Sequence, residues 1–544
     1  MEVDVVVVGG GIAGLTAMAY LCKEGYNAVL FEKEDRVGGL VSSFDYKGFT
    51  FDGGIRAIEN FGVVFPMLRQ LGIQVEFLPN IVSLGIGNDV IQVISKESVM
   101  DYKNLLMRQF PDNREDIEAI LHEIQKIMQY MDVLYGIDNP IFMDIKEDKD
   151  YLYNTLLPWL YKFLGTIGKI KKLQMPVDEY LKKFSNNQVM IDIIAQHFFQ
   201  KTPTSFALSY FSLYLDYKYP KGGTGTLIHK MEEFIHENRG DIRKSTKITQ
   251  LDPQARIALD AAGNTYHYKK LIWASDLKAL YNNLDLSVIQ DTKVKKSILN
   301  RKSEIADKVG GDSILTTYLT VDMDKSYFEK ICTAHFFYTP EKEGLSKCPL
   351  SELILQNTKN QIGTNNPGVI YTKDKQAIID WFKRYYTLTT YEISCPVMRD
   401  PALAPEGKTG LIISSLMEYS LVKHISAMGW YEEFKELSQE CMIDVLNSTI
   451  FPEIKAHKID SFVSTPLTLQ KRTDNSDGAI TGWAFTNSVV PAVSSLLKVT
   501  HSIRTPIPDI YQAGQWCYSP SGFPISVMTG KFAFDQVKKD LSKK

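Results

Sequence analysis

The sequence predicts an α/β fold that begins with a Rossmann-type strand, turn, helix and strand, and three observations at the N-terminus predict it. An apolar run, Val5 to Val8 with Val3 just upstream, leads into Gly9-Gly10-Gly11-Ile12-Ala13-Gly14. A helix-like segment (Leu15, Ala17, Met18, Leu21, Cys22) then breaks at Gly25. A second apolar run, Ala28 to Phe31, ends in Glu32.

Each turn residue has a physical reason. Gly9 permits the tight turn, Gly11 lets the backbone approach a pyrophosphate with no Cβ in the way, and Gly14 lets helix pack on strand. Ile12 and Ala13 open the helix, whose free N–H groups and dipole favour phosphate charge. Glu32, at the tip of the second strand, is placed to accept hydrogen bonds from an adenosine ribose. Its charge repels a 2′-phosphate, so FAD or NAD is expected rather than NADP.

The next residues choose between those two. The chain continues Lys33-Glu34-Asp35-Arg36-Val37-Gly38-Gly39 and later Phe51-Asp52-Gly53-Gly54. A nicotinamide site needs only the first turn, whereas two more glycine pairs suit a longer cofactor lying against backbone. Arg36, near Lys33, is suited to a bidentate phosphate contact, the plainer reading being a charge solvated among Lys33, Glu34 and Asp35. Here the sequence resembles the FAD-dependent amine oxidase superfamily, and within it the phytoene desaturase, carotenoid isomerase and retinol saturase branch.

The resemblance extends along the chain. Tyr219-Pro220-Lys221-Gly222-Gly223-Thr224-Gly225 matches the return to the cofactor, followed by a helix from Leu227 to His236 and then the passage from Ile242 to Leu251. A hairpin then turns at Ala262-Gly263-Asn264, and Leu271 to Ala274 ends the return. The family pattern implies that the strands at Ile248 and Ala274 wrap the adenine end. Ser394 to Lys408 and Thr465 to Trp483 match substrate-domain signatures. Gly514, Gly522, Phe523 and Pro524 match the closing turn and helix start over the flavin's pyrimidine edge and ribityl chain. Gln515 departs from an acidic residue in many relatives and Pro520 from a glycine in several. Cys517 lacks the surroundings of a covalent attachment, so non-covalent FAD is implied.

The implied architecture is a discontinuous Rossmann-type FAD-binding domain, residues 1–75, 216–285 and 484–544, with an α+β substrate domain, 76–215 and 286–483. A chain of 544 residues fits two or three domains. A net charge of −3 gives no electrostatic reason to expect nucleic acid. Six scattered cysteines indicate neither a disulfide framework nor a metal site. The N-terminus enters a strand with no cleavable signal before it, so a cytoplasmic protein is expected.

The chain carries 28 Tyr and 27 Phe, much of this aromatic content clustered outside the cofactor motifs, which points to a large apolar cavity or surface. Arg56 follows the glycine pair and is a candidate catalytic residue, able to hold a substrate carboxylate or a reduced flavin; a salt bridge to Asp52 or Glu59 is the plainer alternative. Residues 76–215 read as mostly helical, with one amphipathic helix over Asn113 to Tyr135. The segment 151–172, aromatic and apolar with lysines at its end, reads either as a membrane-interface helix or as a buried helix of the substrate domain. His197 is a second candidate base, though a core histidine by its neighbours. Leu315 to Val321 alternates like a strand.

The function so implied is FAD-dependent oxidation, reduction or isomerisation of carbon–carbon bonds in a long apolar isoprenoid, carotenoid, retinoid or lipid. There is no second dinucleotide fingerprint, so electrons pass to or from a quinone, oxygen or a separate reductase. Two alternatives stand beside it: an amine-oxidase-like flavoenzyme, and a non-redox prenyl- or lipid-binding chaperone of the same fold.

Overall fold

The structure, a computed structural model, describes residues 1–357 and 369–543. The valine run forms the strand Glu2–Val8, inside a seven-stranded sheet ordered Asp241–Arg243, Ala28–Phe31, Glu2–Val8, Thr265–Trp273, Ile257–Asp260, Ile248–Asp252. Ile510–Gln512 pairs with the C-terminal half of Thr265–Trp273, in parallel like Glu2–Val8. Val5 and Val7 join one hydrophobic cluster and Val6 and Val8 another. Both faces of the strand are therefore covered, which is why it reads as an unbroken apolar run.

On one face the helix Ile12–Lys23 packs against Gly225–Glu237 and Phe523–Leu541. Tyr20 stacks on Phe534 with ring centroids 5.4 Å apart. The passage Ile242 to Leu251 is not continuous: Ser245, at φ 52°, divides it between Asp241–Arg243 and Ile248–Asp252, at opposite ends of the strand order.

A second seven-stranded sheet is ordered Lys458–Ser464, Ser313–Val321, Thr409–Met417, Tyr391–Ser394, His335–Thr339, Val82–Ile86, Asp89–Val93. Its last two strands correct the helical reading of the chain from residue 76. Val82–Ile86 pairs in parallel with His335–Thr339, a partner no local periodicity reveals. Helices follow from Ser98–Gln109 onward. Arg114–Tyr135 buries Ile117, Ile120, Leu121, Ile124, Ile127 and Met128, the stripe its spacing predicts.

The segment 151–172 is helical, a π-helical stretch Tyr151–Leu156 running into Leu157–Ile170, and it is not buried. Leu157, Leu160, Tyr161 and Leu164 recur at helical spacing and are all exposed, Tyr161 by 84%. Lys169, Lys171 and Lys172 are exposed at its C-terminal end. Among the described residues no helix is long and apolar enough to cross a membrane.

Asp52, 1% exposed, joins three parts of the chain. Its carboxylate accepts hydrogen bonds from Ser43 Oγ (2.9 Å), Thr224 N (2.9 Å), Thr224 Oγ1 (2.8 Å) and Tyr219 Oη (2.8 Å). Its carbonyl accepts from Tyr318 Oη at 3.3 Å. Thus the hairpin Ser43–Tyr46/Phe49–Asp52, the returning segment and the second sheet meet on one residue.

Candidate functional site

A cavity of about 510 Å³ is walled by both sheets. Gly9, Gly11, Ile12, Ala13, Glu32, Lys33, Arg36, Gly38, Gly39, Gly54, Arg56, Ile248, Ala274, Gly514, Gly522 and Phe523 all line it. Gly14, Gly53 and Pro524, also singled out in the sequence, do not. Gly14 instead closes helix on strand: a Cβ there would run into the Gly9 carbonyl and come within 3.3 Å of Ala274 Cβ. Gly53 lies behind Arg472, whose Nη1 would be 2.9 Å from an added Cβ. Pro524 is buried in the first turn of the last helix, where a missing N–H does no harm.

The turn has the geometry a phosphate needs. Gly9 adopts φ 105°, with the Ala274 carbonyl oxygen 2.6 Å from where a Cβ would sit, so a side chain is excluded twice over. Around Gly11 the opposite holds: nothing lies within 4 Å of an added Cβ, which would project into open space. Gly11 is also the N-cap of Ile12–Lys23, and no side chain caps that helix. Its first N–H groups therefore remain free for a ligand. Phe523–Leu541 likewise starts without a side-chain cap, its N-cap Gly522 lying on the same cavity.

Glu32 is fixed by backbone, its Oε2 accepting from Gly10 N at 2.8 Å and its Oε1 from Glu34 N at 2.9 Å. Burial raises its carboxyl above the ordinary range, and these two hydrogen bonds oppose the rise. Each oxygen keeps a lone pair for a ribose hydroxyl. Lys33 is already engaged, with the Lys471 carbonyl at 2.6 Å and Asp474 at 3.1 Å. Arg36 is exposed, on the cavity wall, and pairs with no carboxylate among the described residues.

Arg472, not identified in the sequence, faces the same cleft from the end of the helix Pro466–Thr473. It donates to Gly39 O at 2.8 Å and Ser42 Oγ at 2.6 Å. Burial lowers its pKa, and the nearby charges of Arg36 and Arg56 contribute. Arg36 and Arg472, both on the cavity wall near the glycine pairs, favour an anion there. Ser521 Oγ and Trp516 Nε1, also on cavity-lining residues, are buried without a partner. Free helix N-termini, a ribose acceptor, clustered arginines and open space at Gly11 together fit FAD. Cys517 is buried and off the cavity wall, and burial raises its thiol pKa.

Arg56 makes neither expected salt bridge. Its guanidinium donates to the Gly54 carbonyl, to the Asp52 carbonyl at 3.4 Å and to Ser414 Oγ at 3.1 Å. His197 lies off the main cavity, against Leu84, Tyr102 and Phe211, with Nδ1 unpartnered. Burial lowers its pKa to about 4, and its place away from the main cavity fits the reading of a core histidine.

Elsewhere the structure brings four distant residues into one line. Arg399 Nε donates to Asn80 Oδ1 (2.7 Å), Asn80 Nδ2 donates to His335 Nδ1 (3.3 Å), and His335 Nε2 then donates to Glu392 Oε1 (3.0 Å). The His335 ring stacks between Tyr217 (5.4 Å) and Phe337 (5.1 Å). Burial lowers the His335 pKa, outweighing the carboxylate beside it. Burial raises Glu392, but the His335 hydrogen bond and the charges of Arg56 and Arg399 hold it below the ordinary range. A neutral imidazole thus donates to an ionised carboxylate on the cavity wall. Arg399 falls within the Ser394 to Lys408 signature, whereas nothing in the local sequence marks Asn80, His335 or Glu392, whose hydrogen-bond partners are remote along the chain.

The family pattern of an NAD(P)-binding Rossmann-like domain matches residues 7–71. Over its length the chain is similar to 4,4′-diapophytoene desaturase (4,4′-diaponeurosporene-forming) of Staphylococcus aureus strain COL, at 20% identity over 99% of both chains. Among solved structures it is similar to an oxidoreductase from Methanosarcina mazei, at 13% identity and TM-score 0.59 over 99% of this chain and 100% of that one. It is also similar to cyclohexylamine oxidase from Brevibacterium oxydans IH-35A, at 11% identity and TM-score 0.59 over 100% of both. At such identities the structural likeness is one of fold.

The glycine geometry separates cofactor binding from stability. Gly11→Ala is expected to leave the melting temperature unchanged and weaken FAD binding by about tenfold or more, the scale of one or two lost phosphate contacts. Gly14→Ala is expected to destabilise the fold by about 1–3 kcal/mol through the clash with the Gly9 carbonyl. Thermal melts and FAD titration of the two variants distinguish these effects.

Proposed function

The chain belongs to the FAD-dependent amine oxidase and phytoene desaturase-like superfamily of oxidoreductases, and from that premise we propose that it acts on carbon–carbon bonds of a long apolar substrate. The reaction class is desaturation, saturation or isomerisation of an isoprenoid, carotenoid, retinoid or related lipid. The observation that carries this reading is the continuity of one cavity from the glycine turn to a chamber walled by Phe199, Phe206, Tyr210, Tyr217 and Ile314.

FAD, bound non-covalently, would supply the hydride-accepting or hydride-donating centre. Gly11 and the helix start behind it, with Arg36 and Arg472, hold the pyrophosphate, and Glu32 holds the ribose. The aromatic chamber orients the apolar chain and excludes water. Glu392, with His335 fixing its orientation, is placed to take or return a proton. Arg56 contributes positive charge to the same space. A quinone, oxygen or separate reductase would exchange electrons with the cofactor.

The same reading divides the chain into a cofactor domain, 1–75, 216–285 and 484–544, and a substrate domain, 76–215 and 286–483. It is supported by the two large sheets, which draw their strands from these two sets of residues without mixing. The exposed apolar stripe of Leu157–Ile170 and its terminal lysines support peripheral contact with an anionic membrane. Co-flotation with anionic liposomes at low salt, abolished by Tyr161→Glu with Leu164→Glu, is the expected result; equal flotation of variant and wild type would remove that contact.

The reaction is tested by anaerobic mixing of FAD-loaded protein with a panel of isoprenoid polyenes, 4,4′-diapophytoene and hydroxylated polyenes among them. Loss of the oxidised flavin absorption in step with a red-shifted polyene is expected for desaturation. An unchanged flavin and polyene, with flavin reduction by a primary amine instead, would transfer the assignment to amine oxidation.

A further inference from the structure

The far part of the cavity is not purely apolar. Glu59 reaches it from the short strand Ile58–Glu59, which pairs with Tyr217–Pro220, and Glu392 from the second large sheet, with Tyr210 and Tyr217 on the same wall. Glu392 Oε1 is occupied by His335, whereas its Oε2 has no partner among the described residues. The Glu59 carboxylate receives no hydrogen bond from another residue; its own backbone N–H is the donor. The hydroxyls of Tyr210 and Tyr217 also lack partners among the described residues. Burial keeps both phenols protonated.

Four polar groups converge on one space without partners on the protein: Tyr217 is buried, while Tyr210, Glu59 and Glu392 are half-buried and open to the cavity, where a ligand can pair with them. A saturated or polyene hydrocarbon would press against them and leave every one unpaired. Two are carboxyl groups, so a ligand that satisfies them brings a donor. The aromatic rings beside them suit either an alkyl alcohol or a cationic nitrogen.

We propose that the substrate is an apolar chain carrying one hydrogen-bond-donating group, a hydroxyl or a protonated amine, which docks between Glu59 and Glu392 among Tyr210 and Tyr217. The inference rests on the flavin-oxidoreductase reading and narrows its substrate to a functionalised lipid rather than a hydrocarbon. His335, locked between Tyr217 and Phe337 and oriented through Asn80 by Arg399, is a positioning residue. It holds Glu392 so that Oε2 stays available.

The two donors differ in their response to pH. Burial pushes the Glu59 carboxyl up to about 7, with the charges of Asp216 and Glu392 adding to the rise. Arg56, His335, Tyr210 and Tyr217 are the other titratable or charged groups facing this space; His335 is held neutral by its burial. Glu59 therefore loses its proton as pH rises through neutrality. An ammonium ligand gains attraction over that range, and a hydroxyl, which a neutral carboxyl can also accept, gains little.

The test uses the full-length FAD-loaded protein and three probes with one isoprenoid body: farnesene, farnesol and farnesylamine. Binding is followed by calorimetry and by perturbation of the flavin spectrum, with no turnover required. Farnesol or farnesylamine is expected to bind at least about tenfold more tightly than farnesene. Glu59→Leu is expected to erase that preference while farnesene binding is kept. For the amine, affinity is expected to rise between about pH 6 and pH 8, identifying the ammonium; a preference flat in pH identifies the hydroxyl.

Equal binding of all three probes by the wild-type protein overturns the proposal, whether or not Glu59→Leu folds. A protein that holds flavin and binds farnesene as well as farnesol loses the functionalised-lipid inference and keeps its redox assignment. A protein that ranks the probes as expected yet cannot be loaded with FAD keeps the inference about the ligand and loses the redox assignment.

Discussion

The buried Asp52 carboxylate is the constraint on which the two halves of the molecule depend. Four donors converge on it, from a hairpin and from a segment more than 160 residues later. A carboxylate so enclosed is stable only when all of its donors are present, so hairpin and returning chain form together or not at all. The hairpin carries Gly53 and Gly54 into place, the return carries Tyr219 beneath the Arg399 guanidinium at 4.4 Å, and Tyr318 ties both to the second sheet. Cofactor cradle and chamber thereby share one frame.

That frame gives the cavity two electrostatic ends. Near the glycine turn are uncapped helix starts, Arg36 and Arg472, a combination that favours anions. In the chamber are Glu59 and the His335–Glu392 pair, whose unfilled acceptors favour donors. Between them lie aromatic and aliphatic walls. A long molecule in this space is aligned by charge and hydrogen bonding at its ends and by dispersion along its length, so orientation need not depend on the apolar contacts alone.

What the sequence reveals, and what it hides, follows the range of the interactions. Gly9, Gly11, Gly14 and Glu32 act within one strand–turn–helix–strand unit, so their spacing carries their roles. The stripe on Arg114–Tyr135 is equally local. Val82–Ile86 escapes because its register is set by His335–Thr339, and Arg472 because it enters the cleft from a helix more than 400 residues past Gly39. The line Arg399, Asn80, His335, Glu392 is hidden for the same reason: Arg399 falls in the Ser394 to Lys408 signature, but tertiary folding alone brings Asn80 and His335 to it. The helix Leu157–Ile170 misleads in another way, since its apolar composition suggests burial while its stripe faces outward.

The central claim is that the glycine turn, Glu32 and the arginines hold FAD without a covalent bond. It is tested most directly by the visible spectrum of the purified protein before and after anaerobic dithionite, with analysis of what denaturation releases. The account predicts a flavin spectrum that bleaches on reduction and intact FAD released in solution. A colourless protein that cannot be loaded with FAD would contradict it and leave a lipid-binding fold without redox chemistry.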